Sequence, residues 1–378
     1  APTVLMTSEY PVAQEATSDD GRRWRKCAAA AIVNSAGELL VGERCKIPGA
    51  WNCPQGGMDA MSKEHGGPET VLEAAAREAY EECGLRLGEH LAPIATMEAD
   101  SQAVRYEAGG WLAKAGFAGQ QLHWALFACC SVVGDVYPGA ITVLDGLDGE
   151  AAEFSVVKWQ PLADVIAGMW PAKRAPYEAL AAWAAPILAA RAAVAHAIDF
   201  GGTWSRDASR NVGLVEALEA RDSTAAEAAE AASALYVQRW ARGAEQGAWI
   251  LTTFEADGTT PRRELEYRLG EWEEGFQGGS KLFGAGSDFL LRRTAHIATP
   301  RADAEGDTQS GKEALLSAAR VGHATWSSRV NDRAEITLRY LRGGDMVVER
   351  TLVVLSPSNE VLRCVVSEEV FVRAADGS

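Results

Sequence analysis

The stretch "GPETVLEAAAREAYEECGL", residues 67–85, places Glu78, Glu81 and Glu82 at i, i+3 and i+4 of an alanine-rich segment. At about 100° per residue the three share one helical face, where like charges repel by roughly 0.2–0.5 kcal/mol per pair. Two readings account for the concentration: water screens a solvated acidic face, or a cation binds it. Carboxylates grouped this way are hard oxygen donors suited to Mg²⁺ or Mn²⁺, which favour octahedral oxygen sites and bridge substrate phosphates. Such a metal polarises a phosphoryl group and helps generate hydroxide from water.

Several elements must position these acids. "WRKCAAAAIVNSAGELLVGERC", residues 24–45, reads as two strands joined by an "NSAG" turn. "IPGAWNCPQGGMD", residues 47–59, has the Gly and Pro density of a loop, and the acidic helix follows, ending near Gly84. "HWALFACCSVV" and "FSVVKWQPL" read as further strands, and residues 171–198 as a helix with proline breaks. The first 20 residues are polar and are expected to be loose. A different pattern opens at "DFGGTWSRDASRN", residues 199–211, so the domain boundary is set near 198. An Ala/Glu helical stretch is predicted over about 212–243. Beyond it, short strand candidates with turns ("AWILTTFEADG", "RRELEYRLGEWEEGF", "ATWSSRV", "AEITLRYLRGGDMVVERTLVVL", "EVLRCVVSEEVFVR") have the spacing of an antiparallel barrel. Residues 299–313 read as a mobile loop.

The 378 residues exceed one typical core, and two domains are the natural division. A net charge of −16 argues against broad, sequence-independent nucleic-acid binding, which needs Lys and Arg on phosphates. Neither half is basic: residues 1–200 hold 25 acids and 15 bases, residues 201–378 hold 27 and 21. No run of about 18 uncharged apolar residues spans a membrane. The seven cysteines are odd in number and lack zinc spacing, which points to reduced thiols in an intracellular compartment. The chain begins at Ala1; the expectation is a soluble protein of the cytoplasm, or of an organelle matrix or stroma after removal of a presequence, with nothing in residues 1–20 to choose between them.

Residues 69–85 resemble the Nudix box: Glu69, seven residues, then "REAYEECGL", with Arg77, Glu78, Glu81, Glu82 and Gly84 in place. The family has five residues between its glycine and this glutamate, whereas Gly56 and Glu69 are separated by twelve. "AMSKEHG", residues 60–66, reads as a seven-residue insertion that reshapes the site mouth. "PGAWNCPQGG", "GQQLHWALF", "EFSVVKWQPL" and "AKRAPYEAL" are similar, in order, to segments of asymmetric dinucleoside tetraphosphate hydrolases and RNA 5′-pyrophosphohydrolases, over residues 24–188.

That resemblance implies Glu78, Glu81 and Glu82 as metal ligands, with Glu69 as an auxiliary. Glu153 matches a glutamate that completes the metal site or takes a proton from the attacking water, and Glu81 and Glu78 join it as catalytic candidates. Arg77 matches the arginine that ties down the loop by pairing with acids. Arg25, Arg44 and Lys46 are implied phosphate contacts, Lys173, Arg174 and Tyr177 a tail approaching the polyphosphate and a base, and Trp51 and Gln55 shapers of the pocket. Each base could equally be solvated.

"FGGTWSRDASRN" and the strands after it resemble the calycin superfamily, in particular the intracellular fatty-acid-binding proteins. The likeness implies a barrel over 199–374 in which Trp204 stacks with Arg373 by a cation–π contact. Of the arginines and tyrosine that hold a carboxylate in that family, Arg339 matches one, while Glu369 and Phe371 replace the others. An acid at 369 is expected to repel a fatty-acid carboxylate. The barrel's partner is therefore left as a small hydrophobic ligand or a protein.

The fold expected is an α/β Nudix domain, a mixed sheet between helices over 21–198, followed by a calycin-type antiparallel barrel with a helical cover over 199–378. The reaction expected is Mg²⁺-dependent (Mn²⁺ is an alternative) asymmetric cleavage of a dinucleoside polyphosphate to nucleoside tri- and monophosphate. The alternatives are an RNA 5′-pyrophosphohydrolase, disfavoured by charge, and a non-catalytic scaffold with a partner-binding barrel.

Overall fold

Four consecutive alanines, Ala28 to Ala31, form a strand although alanine favours helix. All four are fully buried, and their small side chains let helices press onto both faces of a sheet. The structure, a computed structural model, describes residues 13–374 except 63–64, 148, 150, 197–198, 246, 269, 277–278, 281–283, 286–288, 299–322, 331–332 and 359. Side chains are described outside 193–198 and 269–332. The expected loop at 299–313 lies outside the described residues. Two compact units divide the chain, Ala1–Ile187 and Leu188–Ser378.

The first unit has strands β1 (Glu15–Thr17), β2 (Arg23–Val33), β3 (Leu39–Arg44), β4 (Trp51–Asn52) and β5 (Gln55–Gly57). Helix α1 (Val71–Cys83) follows, then β6 (Leu91–Met97), β7 (Arg105–Glu107), α2 (Trp111–Lys114), β8 (Gly119–Cys129) and α3 (Val132–Val136). Strand β9 (Phe154–Gln160) precedes α4 (Leu162–Gly168) and α5 (Pro171–His196). The sheet is mixed, in the order β4–β3–β2–β8–β6, with β1 and β5 on β2, β7 on β8 and β9 on β3. Only β2 and β8 run parallel among these pairs, in the register Ala29↔Trp124. Because side chains alternate along a strand, Ala28, Ala30, Ala125 and Phe127 face α1, packing on Val71, Ala74, Ala75 and Ala79. On the other face, Trp124 meets Tyr177 of α5 edge-on, ring centroids 4.9 Å apart.

Two expectations are corrected here. Part of the segment expected to be loose is a strand, β1, paired with β2 from Arg23 to Arg25. Helix α5 does not break at its prolines but runs through Pro176 and Pro186. Each proline removes one backbone bond, and burial of Tyr177, Leu180 and Ala184 between them offsets the loss.

The second unit has β10 (Gly202–Arg206), α6 (Leu214–Glu219), α7 (Ala225–Ser233), β11 (Val237–Arg242), β12 (Trp249–Phe254) and β13 (Pro261–Tyr267). There follow β14 (Gly270–Phe276), β15 (Gly279–Ser280), β16 (Gly284–Ala285), β17 (Phe289–Ala298), β18 (His323–Val330), β19 (Arg333–Arg342), β20 (Asp345–Leu355) and β21 (Val361–Arg373). Ten strands form one antiparallel sheet, β13–β12–β11–β10–β21–β20–β19–β18–β17–β14, so the first strand pairs with the last. Laid flat, nine spacings would separate its edges by about 43 Å. Yet those edges, β13 and β14, are joined through three residue steps, Tyr267 to Gly270, a reach of about 11 Å. The sheet must therefore roll round on itself. Among the described residues no ladder joins β13 to β14. Helix α6 covers it through Ala217, which packs on Leu352 and Val365.

The helical stretch predicted over 212–243 is instead two short helices and a strand. Asp222, at φ 66, turns the chain after α6, and a Thr224–Glu227 capping box starts α7. "VQRWAR" is then claimed by the sheet, pairing with β10 and β12 while Val237 and Trp240 are buried.

Candidate functional site

Helix α1 begins with a capping box, Thr70 accepting from the Glu73 N–H while Glu73 reaches back to the Thr70 N–H. It ends at Gly84, whose φ of 71 suits a residue without a Cβ. Between these caps the apolar face lies on the sheet and carries Glu78 into the boundary with it, only 8% exposed. Gly56 of β5 passes directly over that carboxylate; a Cβ at 56 would collide with it, and one at Gly57 would collide with the Arg25 guanidinium.

Arg77 organises the acids. Its guanidinium pairs with Glu69 at 2.8 Å, Glu78 at 2.7 Å and Glu81 at 2.9 Å. Its Nη2 also donates to the Gly57 carbonyl at 2.7 Å, which fastens the Gly-rich loop to the helix. Glu69 in turn accepts from the Asp59 N–H at 2.8 Å, and Gln14 of the N-terminal segment donates to the Glu69 carbonyl at 2.8 Å. The Glu82 carboxylate accepts from the Gln55 N–H at 3.2 Å. From the opposite side Glu153 pairs with Arg44, and its carbonyl accepts from Cys45 N–H at 2.9 Å.

Burial pushes Glu78 up to about 7, the Arg77 charge only partly opposing it. Glu82 is raised as well, first by burial and then by the charges of Glu78 and Glu153. Burial and the nearby Arg44 charge pull Lys173 down to about 8. Lys173 donates to Asn52 Oδ1 at 3.2 Å and lies 5.2 Å from the Tyr106 ring centroid.

The other expected contacts divide. Arg25 lies beside Gly57, with its guanidinium 5.2 Å from the Trp111 ring centroid. Gln55 presents a buried Oε1 that has no hydrogen-bond partner among the described residues. Trp51 lies under Lys158, 3.8 Å from ammonium to centroid. Lys46 and Arg174 are exposed. Tyr177, expected to approach the polyphosphate and a base, is fully buried, and its hydroxyl accepts from the Cys53 N–H at 2.9 Å. Full burial leaves it to hold α5 against the loop. Asn52, Tyr106 and the exposed Trp111 were not picked out from the sequence; Asn52 stands inside the loop motif, while Tyr106 and Trp111 belong to no motif.

A divalent cation suits this donor set. Buried Glu78 and half-buried Glu82 carry desolvation costs that Arg77 does not cancel, a glycine leaves the approach to Glu78 clear, and the Gln55 N–H lies on Glu82. Among the described residues, though, no three His, Cys, Asp or Glu side chains are gathered as a ready cage. Arg77 draws Glu69, Glu78 and Glu81 to itself instead.

A NUDIX domain model matches residues 23–180. An RNA pyrophosphohydrolase of Brucella ovis is 30% identical over 171 residues, covering 42% of this chain and 86% of that protein. The chain belongs to the Nudix family. An RNA pyrophosphohydrolase of Brucella anthropi is equally similar, with 88% of that protein covered. The Nudix unit is thus a hydrolase acting on pyrophosphate bonds. Solved structures similar to the chain include the fluorescent protein UnaG (14% identity, TM-score 0.31, 46% of this chain and 97% of that one). A fatty-acid-binding protein of Echinococcus granulosus has 13% identity and a TM-score of 0.28, with 47% and 98% covered. Among the described residues no helix is long and apolar enough to cross a membrane.

In the second unit, Arg373 lies 4.4 Å from the Trp204 ring centroid, and the two are register partners of β21 and β10. Arg339 is 1% exposed and lies 4.2 Å from the Trp240 centroid. Phe371 is fully buried, edge-on to Tyr236. The acid at 369, expected to repel an anion, is neutralised: Arg206 lies 2.9 Å away, Arg350 also pairs with it, and the Tyr236 hydroxyl donates at 2.8 Å.

Proposed function

We propose that the Nudix unit hydrolyses a phosphoric anhydride bond of a nucleoside polyphosphate with the help of Mg²⁺ or Mn²⁺. The observation that carries this reading is the acidic face of α1 under the Gly-rich loop, where Arg77 gathers Glu69, Glu78 and Glu81, Gly56 passes over Glu78 and the Gln55 N–H lies on Glu82. Glu78, Glu81 and Glu82 would hold the cation, with Glu69 as an auxiliary. Bound there, it would screen the anhydride oxygens and acidify a water. Arg77 sets the rotamers of Glu69, Glu78 and Glu81. Glu153, steadied by Arg44, accepts the proton of the attacking water. As the water oxygen bonds to phosphorus, the bridging P–O bond breaks and its electron pair leaves with the departing phosphate. Arg25 and Lys173 neutralise the oxygens of the chain.

Two substrates fit. The relatives' name favours a triphosphorylated RNA 5′ end, which would release pyrophosphate. The net charge of −16 favours a small dinucleoside polyphosphate, cut to nucleoside tri- and monophosphate. The RNA reading stands first, because the relatives match the site's own unit, whereas the charge belongs to the whole chain. Diadenosine tetraphosphate and triphosphorylated RNA, each offered with Mg²⁺, separate the readings. Pyrophosphate from RNA alone supports the first and ATP plus AMP the second; turnover of neither would leave a scaffold.

A further inference from the structure

Trp24 and Trp124 of the Nudix unit are fully buried, whereas Trp111 is 59% exposed. A loose backbone does not account for that exposure. Trp111 opens α2, and the next residue, Leu112, is buried. The Phe117 N–H donates to the Leu112 carbonyl at 2.9 Å, and the Ala118 N–H to the Arg23 carbonyl at 2.8 Å. The Phe117 ring also lies under the Arg23 guanidinium, 4.9 Å from its centroid. The segment is thus fastened to β2 while the indole stays in solvent.

Its neighbour is the site. The Arg25 guanidinium lies over the indole, 5.2 Å from the ring centroid. The same guanidinium fills the space that a Cβ at Gly57 would need, as Glu78 fills that of Gly56. Two consecutive glycines of β5 therefore lead from the acidic face of α1 to Arg25, and Arg25 leads to Trp111. Arg23, two positions earlier on β2, is paired with Glu15. Arg25 instead donates to the Cys27 sulfur at 3.7 Å, a weak acceptor. A guanidinium placed this way can offer its edge to phosphate oxygens while the indole offers a planar base an apolar face. Stacking on an aromatic ring is indifferent to base identity, because every base has a π-face. We propose that Trp111 is the platform for the nucleobase of the bound nucleoside polyphosphate, so that the site prefers a base-bearing chain to a bare one. The inference rests on the polyphosphate reading of the Nudix site given above.

The test is a calorimetric titration of the full chain, with Ca²⁺ replacing Mg²⁺ to slow turnover. Two matched pairs serve as probes: ATP against ribose 5′-triphosphate, and a triphosphorylated RNA trimer against the same trimer lacking its first base. The base-bearing member is expected to bind at least about fivefold more tightly. Trp111→Ala should bring that ratio close to one, and Trp111→Phe should keep most of it. A preference in the RNA pair alone would seat an RNA end on the platform, and one in both pairs the nucleoside itself; either upholds the proposal. Equal binding within both pairs, no binding of any probe, or a preference that survives Trp111→Ala overturns it. The wild-type ratios decide the matter if the variants do not fold. Hydrolysis of diadenosine tetraphosphate and triphosphorylated RNA in Mg²⁺ is scored separately. A chain that shows the preference but cleaves neither loses the hydrolase reading and keeps this one, whereas turnover without the preference does the reverse.

Discussion

Each unit encloses a network of charge, and the two differ in balance. In the Nudix unit one guanidinium, Arg77, serves Glu69, Glu78 and Glu81, with Glu82 and Glu153 close by. In the barrel-like unit three guanidiniums, Arg206, Arg221 and Arg350, share Glu335 and Glu369. Burial makes the surplus of acids in the first unfavourable in the empty protein. The proposed cation would offset the first surplus, whereas the arginines and glutamates of the second alternate and answer one another.

The largest effect should come from Glu81→Gln, which keeps shape and removes a charge. Hydrolysis is expected to fall roughly 10³-fold, about 4 kcal/mol of barrier, with an unchanged melting curve. Full activity in this variant would remove the acids from the chemistry. Arg77→Met should act on the fold instead, costing about 3 kcal/mol, because three carboxylates lose their shared counter-ion. Mg²⁺ should then raise the variant's melting midpoint more than the wild type's; equal shifts would show that Arg77 and metal do not compensate the same charges. In the other unit, Glu369→Gln should cost about 2 kcal/mol, below the usual figure for a broken buried pair, since Gln can still accept from Tyr236. An unchanged melting midpoint would show that the pairs of Glu369 with Arg206 and Arg350 contribute nothing to the fold.

The two networks also differ in how visible they are in the chain. Glu69, Arg77, Glu78, Glu81 and Glu82 lie within fourteen positions on or beside one helix, so local spacing exposes them. The capping threonine and Gly84 announce the helix itself, and alternating apolar residues announce the late strands. By contrast, Arg221 and Glu335 are 114 positions apart, and only the rolled sheet brings them together. Lys173 and Asn52 meet across 121 positions, and Tyr106 joins them from a segment without a motif. Tyr177 could be quoted from the sequence, yet its role as a core fastener depends on burial. "VQRWAR" was read as helix because its neighbours are rich in Ala and Glu; its strand state is imposed by β10 and β12.

The smallest predicted effect is one of pH. Lys173 is a half-buried cation of the Nudix unit, and desolvation brings its ammonium down to about 8. Its charge is present below that pH and lost above it, so KM for the polyphosphate should rise a few-fold from pH 7 to 9 while kcat changes less. Stability moves the other way. Because the folded group loses its proton before the unfolded one does, the folding free energy should improve across about pH 8 to 10.5. Lys173→Arg should flatten the KM profile, since a guanidinium does not titrate in this range. A KM that ignores pH in the wild type, or a rise that survives Lys173→Arg, would show that the Nudix unit's phosphate contact is made by another group.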